Sequence, residues 1–154
     1  MGLIQRIAEV LSDIFGDKKE GIIEEITEPT DWCAPMVPVV KSNGKVRICV
    51  DLRRLNEAVK GERYLLPNME DVVPELTGEK IFSKLDASSE FWQIPLHESC
   101  TKLTTFVTPS GRFCFRRFPF GITSAPETFQ RCMSQMLKNQ EGTRAIMDDT
   151  IIYG

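Results

Sequence analysis

The sequence predicts an α+β fold, an antiparallel sheet with flanking helices. Three observations predict it. Two β-rich hairpins are built around Ser42-Asn43-Gly44 and Pro109-Ser110-Gly111; a third is expected at the C-terminal end around Asp148-Asp149; and the segments at 3–15 and, after Pro126, at 129–137 carry apolar residues at helical spacing. The chain of 154 residues is one domain, or part of one, and on closing could bury about two thirds of its unfolded surface. A composition of 42% hydrophobic and 27% charged residues is that of a soluble globular protein, with no apolar run near the roughly 20 residues of a membrane span. The first residues alternate polar and apolar side chains instead of forming a signal-peptide block, so an intracellular protein, cytoplasmic or nuclear and not secreted, is expected.

From the start, Leu3, Ile4, Ile7, Val10, Leu11 and Ile14 share one face of an amphipathic helix that Gly16 and Asp17 are expected to end. Residues 28–35 hold two prolines and read as an extended loop. Met36 to Lys41 and Lys45 to Val50 then form the first hairpin, because Asn-Gly adopts the left-handed conformations that a two-residue turn needs. Pro38 lacks an N–H and restricts its strand to an edge. Residues 57–67 read as irregular, and a short helix follows, capped by Asn68, kinked or limited by Pro74 and stopped by Gly78. A strand over 81–86 ends on Asp86, with Phe91 and Trp92 beyond it as packing residues. Residues 104–108 and 112–117 make the second hairpin. The helix after Pro126 places Phe129, Cys132, Met133, Met136 and Leu137 on one face, and Gly142 leads into the last hairpin, whose turn is expected to carry both Asp148 and Asp149.

Five cysteines, at wide spacings and without Cys-x-x-Cys, indicate neither a disulfide framework nor a zinc knuckle. His97 is the one histidine, it reads as a surface residue, and Ser-His or Cys-His catalysis would rest on it alone. The formal net charge of −3 is unevenly spread: residues 36–63 and 102–154 are net basic, whereas 1–35 and 64–101 are net acidic. Lys41, Lys45 and Arg47 on the first hairpin could form a flap that closes over phosphates, or an ordinary solvated surface.

The carboxylates are the sharpest signal. Asp148-Asp149 alone would be a solvated hairpin tip. With the strand ending in Asp86 alongside, three carboxylates meet at one sheet edge and repel unless cations are bound; all-oxygen donors suit Mg²⁺ or Mn²⁺. A metal-dependent nuclease or phosphatase could use the same trio, but neither explains the flap, Phe91 and Pro119-Phe120-Gly121 together.

Taken in order, residues 28–32, 43–56, 84–89, 118–126 with Phe129-Gln130, and Met147-Asp148-Asp149 resemble the fingers and front palm of a reverse transcriptase of the Ty3/gypsy type of long-terminal-repeat retrotransposon. The resemblance covers 21–154, read as a reverse transcriptase domain truncated after the Met-Asp-Asp hairpin; residues 1–20 form an unassigned N-terminal helix, and 1–17 carry no resemblance. It implies the fold of a right-hand polymerase and two-metal nucleotidyl transfer, with Asp86, Asp148 and Asp149 as catalytic and metal-binding residues, the Ala87 carbonyl as a further ligand, and two Mg²⁺ or Mn²⁺ ions. It also implies that Lys41 and Arg47 contact the incoming triphosphate and that Phe91 excludes a ribose 2′-hydroxyl. Phe120 and Gly121 would pack beneath the nucleotide, Gln130 would support the site, and Asp51 with Arg53 would form a structural pair. The implied partners are an RNA or DNA template with its primer and deoxynucleoside triphosphates, with no membrane. Glu90 stands where the family has Gly or Ala, and Ile146 where Tyr is common. Thumb, connection, ribonuclease H and integrase have no counterpart here, so the isolated chain is expected to be inactive. The rival reading is a non-catalytic remnant that binds nucleic acid or a protein.

Overall fold

A computed structural model describes residues 12, 14, 16–40 and 46–154. It is a mixed fold of helices and sheets that divides into two compact units, one ending at Val59 and resumed over Trp92–Ile122, the other formed by Lys60–Phe91 and Thr123–Gly154.

The first unit holds strands β1 (Ile23–Glu25), β2 (Ala34–Val40), β3 (Val46–Val50), β5 (Phe106–Thr108) and β6 (Gly111–Phe115), in the spatial order β1-β6-β5-β2-β3. Alternation drives the pairing of β5 with β6: Phe106 faces Phe113 in register, and the buried rings of Phe106, Phe113 and Phe115 lie 6.1 and 5.1 Å apart between centroids. Fully burying each ring is worth about 1.5–3 kcal/mol. The β5–β6 turn is two residues, Pro109 and Ser110, and Thr108 Oγ1 fixes it by accepting from Ser110 N at 3.1 Å and donating to Gly111 O at 3.0 Å. The hairpin therefore begins at Phe106, two residues later than the sequence suggests, because Lys102–Thr104 forms a 3₁₀ turn.

Two further expectations need correction. The sheet is not wholly antiparallel, since Ala34 and Pro35 of β2 pair in parallel with Phe106 and Val107 of β5. Nor is β2 an edge strand in the sheet order. Pro38 is accommodated because the pairing with β5 covers only residues 34–35, so at Pro38 the backbone faces β3 alone, opposite Ile48. The expected Ser42-Asn43-Gly44 turn lies outside the described residues, as does most of the segment expected to form the N-terminal helix. Residues 12, 14 and 16–19 are helical, so the helix runs past Gly16 and Asp17 and stops at Gly21. There Gly21 N bonds Lys18 O and Ile22 N bonds Asp17 O, a Schellman closure that requires the left-handed φ of 70° found at Gly21.

Helix α1 (Arg53–Ala58) and a 3₁₀ helix over Glu90–Gln93 went unread, being too short to show periodicity. His97 is exposed and caps the single-turn helix α3 (Glu98–Thr101), its ring nitrogen accepting from Ser99 N at 3.3 Å.

The second unit is a three-stranded antiparallel sheet in the order β4 (Phe82–Asp86), β8 (Asp149–Tyr153), β7 (Thr143–Ile146), with helices α2 (Met69–Leu76) and α4 (Ala125–Leu137). Asn68 starts α2: its N–H donates to Asp71 Oδ2 at 2.8 Å, half of a capping box, and Pro74 lies inside the helix without ending it. Helix α4 packs on β7, but its buried face is Ala125, Phe129 and Gln130; Met136, expected on the core face, is 65% exposed.

Candidate active site

The second unit brings the three predicted carboxylates into one short region. Strand β4 pairs with β8 so that Asp86 lies directly opposite Asp149. Cross-strand partners share a face of the sheet and hold their Cβ atoms about 4.5–5.5 Å apart, a separation at which like charges destabilise the pair. Asp148 sits in the two-residue turn between β7 and β8, and its carbonyl accepts from Ala87 N at 2.8 Å, which ties the end of β4 to the turn. Only Asp148 is in the turn, with Met147; Asp149 already belongs to β8. Asp86 and Asp148 are exposed and Asp149 is half-buried.

The tip is bent by Met147, whose φ of 56° lies in the left-handed region that an unbranched side chain adopts only at a cost. Gln130 holds it there. This side chain is 1% exposed; its Oε1 accepts from Met147 N at 2.6 Å and its Nε2 donates to Ala145 O at 2.9 Å and Ser134 Oγ at 3.2 Å. One amide thus binds the penultimate residue of β7 and the turn itself, fixing where Asp148 and Asp149 begin.

Lys84 belongs to the site and was missed as a site residue. It stands two residues before Asp86, hence on the same face of β4, and opposite Ile151, one pleat from Asp149. Its Nζ lies 2.7 Å from Asp149 Oδ2. The hydrogen bond and charge of Asp149, with smaller contributions from Asp86 and Asp148, raise the Lys84 pKa. Period-two spacing from Asp86 was the signal that could have found it.

The remaining predicted residues are placed as follows. Ala87 follows β4 directly, and Phe91 meets Phe129 edge-on at 6.2 Å between ring centroids, within the same unit as the carboxylates. In the first unit, Arg53 Nε and Nη2 donate to the Asp51 carboxylate at 2.6–3.1 Å, and this holds Asp51 down at a pKa of about 2. Phe120 lies edge-on to Trp92 at 5.5 Å, and the Gly121 carbonyl accepts from Asn56 Nδ2 at 2.8 Å, which secures the Phe120-Gly121 segment to α1. Arg47 lies on β3 opposite Val39, and Lys41 falls outside the described residues.

Among the described residues, no three His, Cys, Asp or Glu side chains converge as a ready metal cage. The donor chemistry nevertheless fits a hard dication: carboxylate oxygens from paired strand ends and their turn, and a cation, the Lys84 ammonium, seated on Asp149. Among the described residues no helix is long and apolar enough to cross a membrane.

Comparison with known proteins places this arrangement. The Pol polyprotein of transposon 297 from Drosophila melanogaster is 34% identical over 150 residues, covering 94% of this chain and 14% of that polyprotein. The enzymatic polyprotein of Figwort mosaic virus is 38% identical over 114 residues, covering 73% of the chain and 17% of the viral protein. The chain thus spans less than a fifth of these two relatives. In three dimensions it resembles the foamy viral protease-reverse transcriptase, with a TM-score of 0.81 in the complex with double-stranded DNA (24% identity, 94% of this chain and 25% of the other) and 0.82 in that with an RNA/DNA hybrid (22% identity, 99% and 20%). This likeness shows the fold, part of a right-hand polymerase. The family described as reverse transcriptase (RNA-dependent DNA polymerase) matches residues 39–154, a stretch that includes β4, Gln130 and the Met-Asp-Asp turn. With the retrotransposon Pol polyproteins among its homologues, the chain belongs to the reverse transcriptase family.

Proposed function

We propose that this chain is the fingers and front palm of an RNA-directed DNA polymerase of Ty3/gypsy type, with Asp86, Asp148 and Asp149 as its catalytic carboxylates. The observation that carries the reading is the register of β4 against β8, which sets Asp86 opposite Asp149 beside the turn that bears Asp148. Two adjacent strands converging acidic groups at one end is a costly arrangement for a folded protein unless it holds cations. These carboxylates and the Ala87 carbonyl would hold the metal. Bound there, two Mg²⁺ ions would lower the pKa of a primer 3′-hydroxyl and neutralise charge on the departing pyrophosphate.

The rest of the chain serves that step by positioning. Gln130 fixes the origin of the acidic turn. Phe91, braced against Phe129, is the side chain proposed to exclude a 2′-hydroxyl. Lys41 and Arg47 would neutralise the triphosphate, Phe120 and Gly121 would underlie the nucleotide, and Asp51 with Arg53 stiffens the turn into α1. The solved neighbours bound to double-stranded DNA and to an RNA/DNA hybrid support a template-primer as the partner; deoxynucleoside triphosphates would be the substrates.

The test is primer extension on an RNA template with Mg²⁺ or Mn²⁺, using the chain alone and the chain grafted into the corresponding segment of a transposon Pol polyprotein. In the grafted protein Asp86→Asn or Asp148→Asn should reduce extension by about 10³-fold or more, the scale of losing one member of a catalytic unit. Extension at the parental rate by either variant would overturn the assignment.

A further inference from the structure

The acidic strand end carries its own counter-ion. Lys84, Asp86 and Asp149 lie on one face of the β4–β8 pair: Lys84 and Asp86 are two positions apart, Asp149 is Asp86's cross-strand partner, and Lys84 reaches diagonally across to Asp149 Oδ2 at 2.7 Å. The oxygen that Lys84 contacts is one of those offered to a divalent ion in the reading above. An ammonium and a dication cannot both approach that oxygen without strong repulsion, because unlike a water molecule the ammonium brings a positive charge of its own.

We infer that Lys84 is a resident competitor for the metal, a positioning residue that occupies Asp149 when no dication is present and must release it before metal binds. This rests on the proposed role of Asp86 and Asp149 as metal ligands. The geometry permits the exchange. The Lys84 side chain is 64% exposed and that of Asp149 32%, so nothing packs the ammonium in place, and a four-carbon stem can turn to solvent without moving the backbone. The ion pair also has a use in the metal-free protein, since it offsets the repulsion between Asp86 and Asp149 that the strand register imposes. The same contact that steadies these carboxylates thus raises the dication concentration at which they bind metal.

Mn²⁺ binding to the full chain, followed by the loss of its free-ion EPR signal at pH 7, tests the inference without any need for catalysis. Four proteins are compared: the parent, Lys84→Gln, Asp149→Asn and Asp86→Asn. Lys84→Gln should bind Mn²⁺ roughly three- to tenfold more tightly than the parent, the size expected for removing one exposed charge next to the ion. Asp149→Asn and Asp86→Asn should each weaken binding. Equal or weaker Mn²⁺ affinity in Lys84→Gln, with binding still sensitive to Asp86 and Asp149, would overturn the competitor role while leaving the metal site intact. Binding insensitive to both aspartates, or absent from all four proteins, would overturn the site reading and the competitor role with it. Circular dichroism of Lys84→Gln checks that the fold is unchanged, and Lys84→Arg, which keeps the charge, should retain parental affinity.

Discussion

Replacing Gln130 with leucine keeps nearly the same volume in the core of the second unit but removes the amide that holds the acidic turn. Ala145 O then loses its donor where Gln130 is 1% and Ala145 7% exposed, too closed for water to substitute freely, and Met147 N–H loses its acceptor at a turn residue that is itself 43% exposed. Each stranded group costs about 1–3 kcal/mol, and burying an apolar side chain in place of an amide returns some of that, so a net loss of about 2–4 kcal/mol is expected. Against a total stability of about 5–15 kcal/mol this is large, and for a chain of this size it lowers Tm by about 5–15 °C. Urea unfolding by circular dichroism measures the first quantity. Amide hydrogen exchange at Met147 measures the second consequence: without its acceptor and in a left-handed conformation, that amide should exchange much faster than those of Thr150 and Ile151. Gln130→Glu sharpens the argument, because a carboxylate still accepts from Met147 but repels Ala145 O; its defect should lessen at acid pH as the group becomes protonated and can donate. A change in stability below about 0.5 kcal/mol, with unaltered exchange at Met147, would refute the clamp.

Gly142→Ala should destabilise by about 1–3 kcal/mol in thermal unfolding, because φ is 67° there and an added Cβ would press on the Tyr153 carbonyl. Asp51 should titrate near 2 by NMR, and Arg53→Gln should return it to the ordinary carboxylate range. Since that pKa is depressed, the contribution of the Asp51–Arg53 pair to stability is fully present above about pH 4 and is lost as pH falls towards 2, so acid unfolding of Arg53→Gln should lack this component. Burial first, and then the nearby Glu24 carboxylate, push the Cys114 thiol up to about 12; a thiol reagent at pH 8 should modify exposed Cys33 quickly and Cys114 only on unfolding. Glu90→Gly should raise deoxynucleotide affinity in the grafted protein if the carboxylate opposes the triphosphate; unchanged affinity would show that it points elsewhere.

Local chemistry wrote much of this fold legibly. The alternation of Phe113 and Phe115 indicates β6, Asn68 indicates the start of α2, and an ordered set of short motifs indicates the family. Short or irregular pieces were not legible, because α1 and the 3₁₀ turn at Glu90 are shorter than the window in which helical periodicity shows, and the end of the N-terminal helix depends on a closure at Gly21, beyond the Gly16-Asp17 pair that also carries a stop signal.

What the sequence determined by itself was which residues to propose for the chemistry: Asp86, Asp148 and Asp149 stand out because their apolar flanks and small neighbours are local features. What only the tertiary structure decided was how they are arranged and restrained. The pairing of Asp86 with Asp149, the ion pair from Lys84 and the Gln130 clamp join residues 15 to 65 positions apart. Such contacts depend on strand register and burial, and a one-residue slip of β4 against β8 would turn Asp86 and Lys84 to the opposite face. Met136 makes the same point from the other side: its helical spacing matches a core face, yet it is 65% exposed and the buried residues of α4 are Ala125, Phe129 and Gln130.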